Sequence, residues 1–560
     1  MSEPDEEPSW DVATDVVVAG TGAAGLAAAL AAREAGASVV LLEKANVVGG
    51  TTAISGGVIW VPNNRQMAEA GLHDSRDEAI AYIELMAEGR GDRALIERFV
   101  DESVRVVEFL EEHAAIRFYS LTDYPDYQPE LPGGRSGGRP LDQDLFDTAE
   151  LGAWSTRLRR NPVNGGAPMT IREAMAWNVF ASPSGFPYRE VRDRAKRGVV
   201  HGGAALAGRL LKACLVRGIE PELSVRARQL ITDDDGDVVG VHVEHAGVVR
   251  RIRARKGVIL ASGGFEWNQD LCRAFLLGIP THPATPPANE GDGLLMAMAV
   301  GAELDAMSQA WWCPSVVVPG ETYDGAPMYR PEFSVRCLPH SIIVNRRGAR
   351  FTNEAHNYND MSKPFFHHDP WRYEQLNVPA WLIVDQNYLD KYAFLTAVPG
   401  RPVPDWIARA DTPEELATKL GIDPRGFRAT LDRFNLFAQS GKDADFGRGD
   451  SAFSRFYGDR AQPSNPNLGK VERAPFYGVS VYPGTLGTKG GPKVNADAQV
   501  RRVDGKVIDG LYAAGNAMGA FCGPGYPGPG ITIAVALTWG FLAGRHAAAR
   551  APRGLPGEPG

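Results

Sequence analysis

The apolar positions of this chain first fall into a strand–helix–strand alternation. A β-branched run, Asp15-Val-Val-Val-Ala19, leads into Gly20-Thr-Gly22-Ala-Ala-Gly25 and an alanine-rich stretch to about Ala35, where Gly36 marks a stop. Ser38-Val-Val-Leu-Leu-Glu43 is a second short apolar run. Runs of this length predict buried strands, and the segment between them a helix, so the chain opens as a βαβ unit of a parallel sheet. Residues 78–116 and 203–216 carry helical spacing, and residues 121–140, rich in Pro, Gly and Tyr, predict a loop. Between 225 and 262 short strands are expected, with Asp233-Asp-Asp-Gly-Asp237 as a hairpin turn and Gly257–Ala261 as a buried strand. Near Trp311 the pattern changes to aromatics, prolines and polar loops. From Pro475 it reverts to short apolar runs, ending in a helix from about Ile531 to Ala549.

The fold class expected is α/β: a Rossmann-like dinucleotide-binding domain built from both ends of the chain, with an inserted α+β catalytic (cap) domain. The predicted layout is a disordered tail over 1–13, the first part of the binding domain over 14–309, the cap over 310–472, and the second part of the binding domain over 473–560. At 560 residues more than one domain is expected.

Composition narrows the partners. A net charge of −9 disfavours nucleic acid, whose phosphates call for a basic surface. The five cysteines, Cys214, Cys272, Cys313, Cys337 and Cys522, form neither a CxxC pair nor a zinc spacing, which points to a reducing, cytoplasmic compartment and to no bound metal. The acidic start is unlike a secretory signal, and no apolar run reaches the ~18–20 residues of a membrane-spanning helix. Pro364-Phe-Phe-His-His-Asp-Pro-Trp371 is aromatic enough either to pack over a pocket or to touch a membrane from its periphery.

Gly20, Gly22 and Gly25 fit G-x-G-x-x-G between a strand and a helix. The first glycine permits the tight turn, the second the approach of a pyrophosphate, and the third close helix–strand packing. The helix N-terminus at Ala23 and Ala24 then faces the phosphates. Glu43, closing the second strand, suits ribose hydroxyls. Gly49-Gly50-Thr51-Thr52-Ala53-Ile54-Ser55-Gly56-Gly57 and the distant Gly510-Leu-Tyr-Ala-Ala-Gly515-Asn516 supply small and hydroxyl-bearing residues at two separated places. That separation fits a cofactor as long as FAD better than one nicotinamide half.

With Asn289-Glu-Gly-Asp-Gly293 and Gly348-Ala-Arg-Phe-Thr-Asn-Glu354, these segments resemble the flavoprotein family of fumarate reductases, succinate dehydrogenase flavoprotein subunits and 3-ketosteroid dehydrogenases. Asp126-Tyr127, Asn353-Glu-Ala-His-Asn-Tyr358, Leu486-Gly-Thr-Lys-Gly-Gly491 and Tyr526-Pro-Gly-Pro-Gly530 are most similar to the 3-ketosteroid Δ1-dehydrogenases. The resemblance implies non-covalent FAD held by Gly20, Gly22, Ala23, Ala24, Gly25, Glu43, Lys44, Gly50, Thr51, Thr52, Ser55, Gly56, Gly57, Asp292, Gly515, Asn516 and Ile531.

Removing hydrogens from adjacent carbons beside a ketone needs a group that polarises the carbonyl, a base for the α-proton and a hydride acceptor. The Tyr526 hydroxyl and the Gly530 N–H are candidate carbonyl donors, and the resemblance implies the same pair. It also implies Tyr358 as proton abstractor and Tyr127 as its hydrogen-bonded assistant, with Tyr124 as the alternative to Tyr127. A phenol of pKa ~10 needs such help. The base segment lacks the proline usual in the family and carries His356, a residue expected to titrate near neutrality. Cys522 reads as a small packed hydrophobe. Residues 155–200, with Trp177 and Phe186-Pro-Tyr188, match no role.

The function expected is 3-ketosteroid Δ1-dehydrogenation, with a steroid-like substrate and an unidentified electron acceptor. Three other readings stay open: a fumarate-reductase-like enzyme, a ketosteroid Δ4-(5α)-dehydrogenase and a flavin-binding sensor or scaffold. The first needs cationic clamps, and no Arg or Lys occurs between Gly510 and Gly544, although His282, Arg336, His340 and Arg350 remain available elsewhere. The two base tyrosines favour Δ1 over Δ4 chemistry.

Overall fold

A computed structural model describes residues 10–162, 167–179, 181, 186–276 and 282–553. Its larger sheet has the path Gln499–Arg501, Val507–Ala513, Val248–Leu260, Val12–Ala19, Val39–Glu43, Glu222–Leu223. The strands at its centre are parallel and in register at their ends, with Ala19 opposite both Leu42 and Leu260, and Leu260 opposite Ala513. Strands Arg226–Thr232 and Val238–His245 form the expected hairpin on Val248–Leu260. Buried on both faces, Val16, Val17, Val18, Val258, Ile259 and Leu260 leave no polar alternation, as parallel strands require.

The first strand begins at Val12 and not at Asp15, because Val12 and Ala13 pair with Ile252 and Arg253. Trp10 lies against Gly240 and under the Arg251 guanidinium. The expected tail therefore gives way to ordered chain from Trp10, and residues 1–9 lie outside the described residues.

The second sheet runs Ala326–Pro331, Ala310–Tyr323, Phe476–Thr488, Ala380–Asp385, Ser341–Val344. Its central strand, Phe476–Thr488, lies beyond the boundary expected at 472 yet pairs with strands before it, and the chain rejoins the larger sheet only at Gln499. His282–Pro283, placed by sequence in the first domain, pairs with Gly484 and Thr485 of this sheet. The composition change at Trp311 is thus a poor marker, because both sheets draw on residues from either side of it.

The region 78–116 divides into helices Arg76–Met86 and Arg93–His113, and Gly202–Leu215 and Ile531–Ala549 are helical as expected. The Ile531–Ala549 helix is long and apolar enough to cross a membrane, contrary to the expectation from its sequence, but 78% of its apolar window is buried inside the protein. It packs on the helix Ala23–Glu34. A Cβ on Gly540 would stand 2.3 Å from the Ala24 carbonyl oxygen, and one on Gly544 2.3 Å from that of Ala28. Because Gly540 meets Ala24 and Gly544 meets Ala28, the helices run in the same direction. At 1.5 Å rise per residue, the Ile531 end projects ~12 Å beyond the Ala23 end.

Candidate active site

The register at Ala19, Leu260 and Ala513 brings three strand ends together, which is where open α/β sheets bind ligands. Gly20 holds φ +117, and a Cβ there would stand 2.3 Å from the Ala261 oxygen. A Cβ on Gly25 would meet the Gly20 oxygen at 1.8 Å. These two glycines are packing requirements. Gly22 differs: a Cβ would find only Thr52 Oγ1, at 3.6 Å, and at Gly56 nothing lies within 4 Å. Open space therefore faces the second glycine and the small-residue segment.

Helices Ala23–Glu34 and Ile531–Ala549 both start from a glycine N-cap, which has no side chain to cap the first turn, and neither has an acid there. Two such N-termini, offset by ~12 Å along nearly the same direction, offer backbone N–H groups at two places along one elongated ligand. Gly515 lies between them, its missing Cβ 3.1 Å from Ala24 Cβ and 3.4 Å from Ala536 Cβ. Asn516 accepts a bond from Trp311 Nε1 at 3.0 Å. The donor set, the open glycines and the spacing fit FAD.

Several expected cofactor residues prove to be braced by the protein. Glu43 Oε2 accepts from the Thr21 N–H at 3.1 Å and from the Thr21 hydroxyl, and Oε1 accepts from the Ala45 N–H at 2.8 Å. A carboxylate has about four acceptor positions, so Glu43 fixes the glycine turn and keeps about one for a ribose. The Ala23 N–H donates to Thr52 Oγ1 at 2.9 Å, so it already has a partner, unlike the free N–H expected to face a phosphate. Lys44 pairs with Asp292 at 2.8 Å and Glu290 at 2.9 Å, and Arg226 also binds Asp292. Lys44 and Asp292 therefore neutralise one another. Asn289 donates to Thr51 Oγ1 at 2.9 Å and to the buried Glu266 at 2.7 Å. Ser55 donates to the Thr52 carbonyl at 2.6 Å and accepts from Gly57 N–H at 3.1 Å. Gly50, at φ +48, lies against Gly22, and Ile531 opens its helix as a buried residue.

The three tyrosines expected in the chemistry meet. Tyr127 donates to the Tyr358 hydroxyl, which donates to the Tyr526 hydroxyl at 3.1 Å. All three are buried, Phe333 packs edge-on against Tyr358, and Phe453 against Tyr127. Burial pushes all three phenols well above their ordinary range, so no standing phenolate is stabilised. Tyr358 is the first residue of a short helix capped by Asn357 Oδ1 on Asp360 N–H, and Asn357 Nδ2 also donates to the Tyr127 carbonyl at 3.3 Å. The Tyr127 N–H donates to the Pro527 carbonyl at 3.0 Å. Gly530 caps the C-terminal helix at φ +96, a conformation that excludes most side chains.

Tyr124, the alternative to Tyr127, instead shares a 2.7 Å hydrogen bond with Tyr457. For His356, expected to titrate near neutrality, burial lowers the pKa against the pull of Asp360. Burial also pushes the Cys522 thiol up, in keeping with a packed hydrophobe. Arg350 is used by Glu354 and Asp443, at 2.6 and 2.8 Å, and His340 bonds the Lys470 carbonyl. Arg336 bonds the Glu354 and His356 carbonyls and lies 3.2 Å from Glu332. His282 is a neutral ring stacked on Tyr482, its pKa lowered to about 4 by burial.

Other contacts emerged only from the packing. Asp126 accepts from Trp60 Nε1 and from Arg139, both at 2.7 Å, and Gly528 of the donor turn lies directly against this pair. Thr532 reaches the Tyr526 phenol, and Trp311 packs edge-on against its ring. The aromatic segment splits: Phe365 is buried and Phe366 packs on Trp312, while Trp371 and Tyr373 are 91% and 87% exposed at a hairpin tip. Parts of 155–200 lie outside the described residues; within the rest, Trp177 packs on Phe186, which packs on Tyr188.

The profile of the FAD binding domain family matches residues 15–533. The chain is 40% identical over 544 residues to the 4-oxocyclohexanecarboxylate 2-dehydrogenase of Sinomonas cyclohexanicum, covering 96% of this chain and 93% of that one. It is also 40% identical over 565 residues to the 3-oxosteroid 1-dehydrogenase of Mycolicibacterium smegmatis, covering 96% and 97%. Among solved structures, the 3-ketosteroid Δ1-dehydrogenase of Sterolibacterium denitrificans, in complex with 1,4-androstadiene-3,17-dione, superposes with a TM-score of 0.89 at 34% identity, covering 96% of this chain and 99% of that one. With the glycine turn, the paired helix N-termini and a match across nearly its whole length, the chain belongs to the FAD-binding flavoprotein family.

Proposed function

We propose that this protein is an FAD-dependent 3-ketosteroid Δ1-dehydrogenase. The observation that carries this reading is the hydroxyl-to-hydroxyl chain Tyr127–Tyr358–Tyr526 at the uncapped N-terminus that begins at Gly530. FAD, when bound, supplies the hydride acceptor. Tyr526 and the Gly530 N–H hold the 3-keto oxygen and stabilise the charge that builds there as C2 loses its proton. Tyr358 takes that proton at its hydroxyl oxygen as its own proton shifts along the bond it donates to Tyr526, whose proton shifts in turn to the ketone oxygen, while Tyr127, donating to the Tyr358 oxygen, orients it and steadies the charge there. The surrounding Phe333, Phe453 and Trp311 keep water out.

A second reading follows from the equally similar relative named for a monocyclic keto acid. The ketone chemistry is the same, but a carboxylate calls for a cation, and Arg336 is already engaged by Glu332 and two carbonyls. The deciding experiment adds a 3-keto-4-ene steroid, or 4-oxocyclohexanecarboxylate, to oxygen-free yellow protein. Bleaching by the steroid with a 1-ene product supports the first reading; bleaching by the acid alone replaces it. The exposed Trp371–Tyr373 tip is the surface we assign to contact with a lipid interface, the reservoir of an apolar substrate. The electron acceptor that reoxidises the flavin belongs to the same proposal, with no residue assigned to it.

A further inference from the structure

The side chain of Lys489 is 1% exposed, yet its charge is met by two carbonyl oxygens and an aromatic face, not by a bonded carboxylate. Nζ donates to the Gly525 carbonyl at 2.5 Å and the Gly523 carbonyl at 3.1 Å, the last turn before Tyr526. It also lies 4.1 Å from the centroid of Trp311, whose ring packs edge-on on Tyr526 with centroids 4.9 Å apart and whose Nε1 binds Asn516. One ammonium therefore touches the turn that carries the carbonyl donor and the ring that flanks it.

A buried ammonium without an ion pair is costly, and a residue that only filled space here would be apolar. We infer that Lys489 is a positioning residue, which clamps the 523–525 turn and Trp311 so that the Tyr526 hydroxyl stands ready for the ketone oxygen. The inference rests on the proposed ketone site. Burial lowers the Lys489 pKa to about 8; the charged or titratable groups facing it are Cys522, Lys363, Asp360 and Glu88.

The test compares Lys489→Met, which removes the donors, with Lys489→Gln, which keeps an N–H donor without the charge. In the FAD-loaded proteins, amide hydrogen exchange over Cys522–Gly530 should quicken at least ~10-fold in the Met variant and return toward native in the Gln variant. Turnover per bound flavin should fall ~30- to 100-fold in the Met variant, with weaker binding of the product ketone, and recover in part in the Gln variant. Native exchange over 522–530 in Lys489→Met overturns the inference whatever the substrate. So does native turnover per bound flavin, or a loss matched by equal loss of flavin. Quickened exchange in a protein whose wild type ignores ketosteroids supports the clamp and sinks only the proposed substrate.

Discussion

Replacing Tyr358 with Phe removes one oxygen from the middle of a buried chain of three, and the structure separates what this does to stability from what it does to rate. Tyr127 is wholly buried and donates to the Tyr358 oxygen, so its hydroxyl is left without that acceptor, at a cost of about 1–3 kcal/mol. The backbone frame is untouched, because Asn357 still caps the helix and still bonds the Tyr127 carbonyl. The phenyl ring keeps its edge-on contacts with Phe333 and Tyr526. FAD content should therefore stay native. The rate loses a general base, typically 10²- to 10⁴-fold, or about 3–5 kcal/mol of barrier. The assay is stopped-flow bleaching of the flavin by a 3-keto-4-ene steroid without oxygen, alongside exchange of the C2 hydrogen with solvent deuterium. Both should fall together, while binding of the product ketone, which depends on Tyr526 and Gly530, changes little. Bleaching within about threefold of native would refute the assignment of the base.

Gly530→Ala puts a Cβ 2.4 Å from the Val58 oxygen at φ +96, so the donor turn must shift; turnover should drop about 10²-fold with FAD retained, as read by the same bleaching assay. The double change Trp371→Ser and Tyr373→Ser should abolish sedimentation with phosphatidylglycerol/phosphatidylcholine vesicles while leaving turnover on a soluble ketosteroid native. Lys489 also makes a signed pH prediction. Its pKa in the folded protein is lowered from 10.5 to about 8, so the unfolded chain binds the extra proton between those values and the stability of the fold rises with pH through that window. The penalty relieved is roughly 3 kcal/mol, and urea denaturation at pH 7.5 and 10.5 should show a rise in the wild type that is absent from Lys489→Met.

The glycine turn was legible because each of its positions has a local reason. Gly20 is fixed by its own positive φ and Gly25 by the Gly20 carbonyl five residues before it, and such constraints leave a period in the sequence. Tyr127 and Tyr358 were legible only through resemblance, since nothing around either shows that hydroxyls 231 positions apart are hydrogen-bonded. The boundary expected at 472 rests on composition, which long-range strand pairing does not follow. Phe476–Thr488 pairs with Ala310–Tyr323 and Ala380–Asp385, and strand pairing across such distances has no composition signal. Glu43 and Lys44 were incompletely read, because their partners Thr21, Glu290 and Asp292 compete for the same oxygen and ammonium positions. Lys489 stood inside a quoted motif without a role, because its partners are main-chain carbonyls and a face of Trp311, which no side-chain pattern encodes.

The site is also over-determined in a way that shapes how it can be tested. Its phenols come from three segments: the 121–139 loop, the short helix at Tyr358 and the turn before the last helix. Those segments are tied by bonds that bypass the phenols. Tyr127 N–H and the Tyr82 hydroxyl both donate to the Pro527 carbonyl, and Asn357 Nδ2 donates to the Tyr127 carbonyl. Trp60 and Asp126 press on Gly528, with Arg139 and Asp74 fixing Asp126 from behind. Removing one hydroxyl leaves this frame standing, so Phe substitutions report chemistry. Adding one methyl at Gly528 or Gly530 strikes Trp60 or Val58 and moves the frame itself, so Ala substitutions report placement. A rate loss in Tyr526→Phe that matched the loss in Gly528→Ala would mean that placement of the donor, and not its identity alone, sets the barrier.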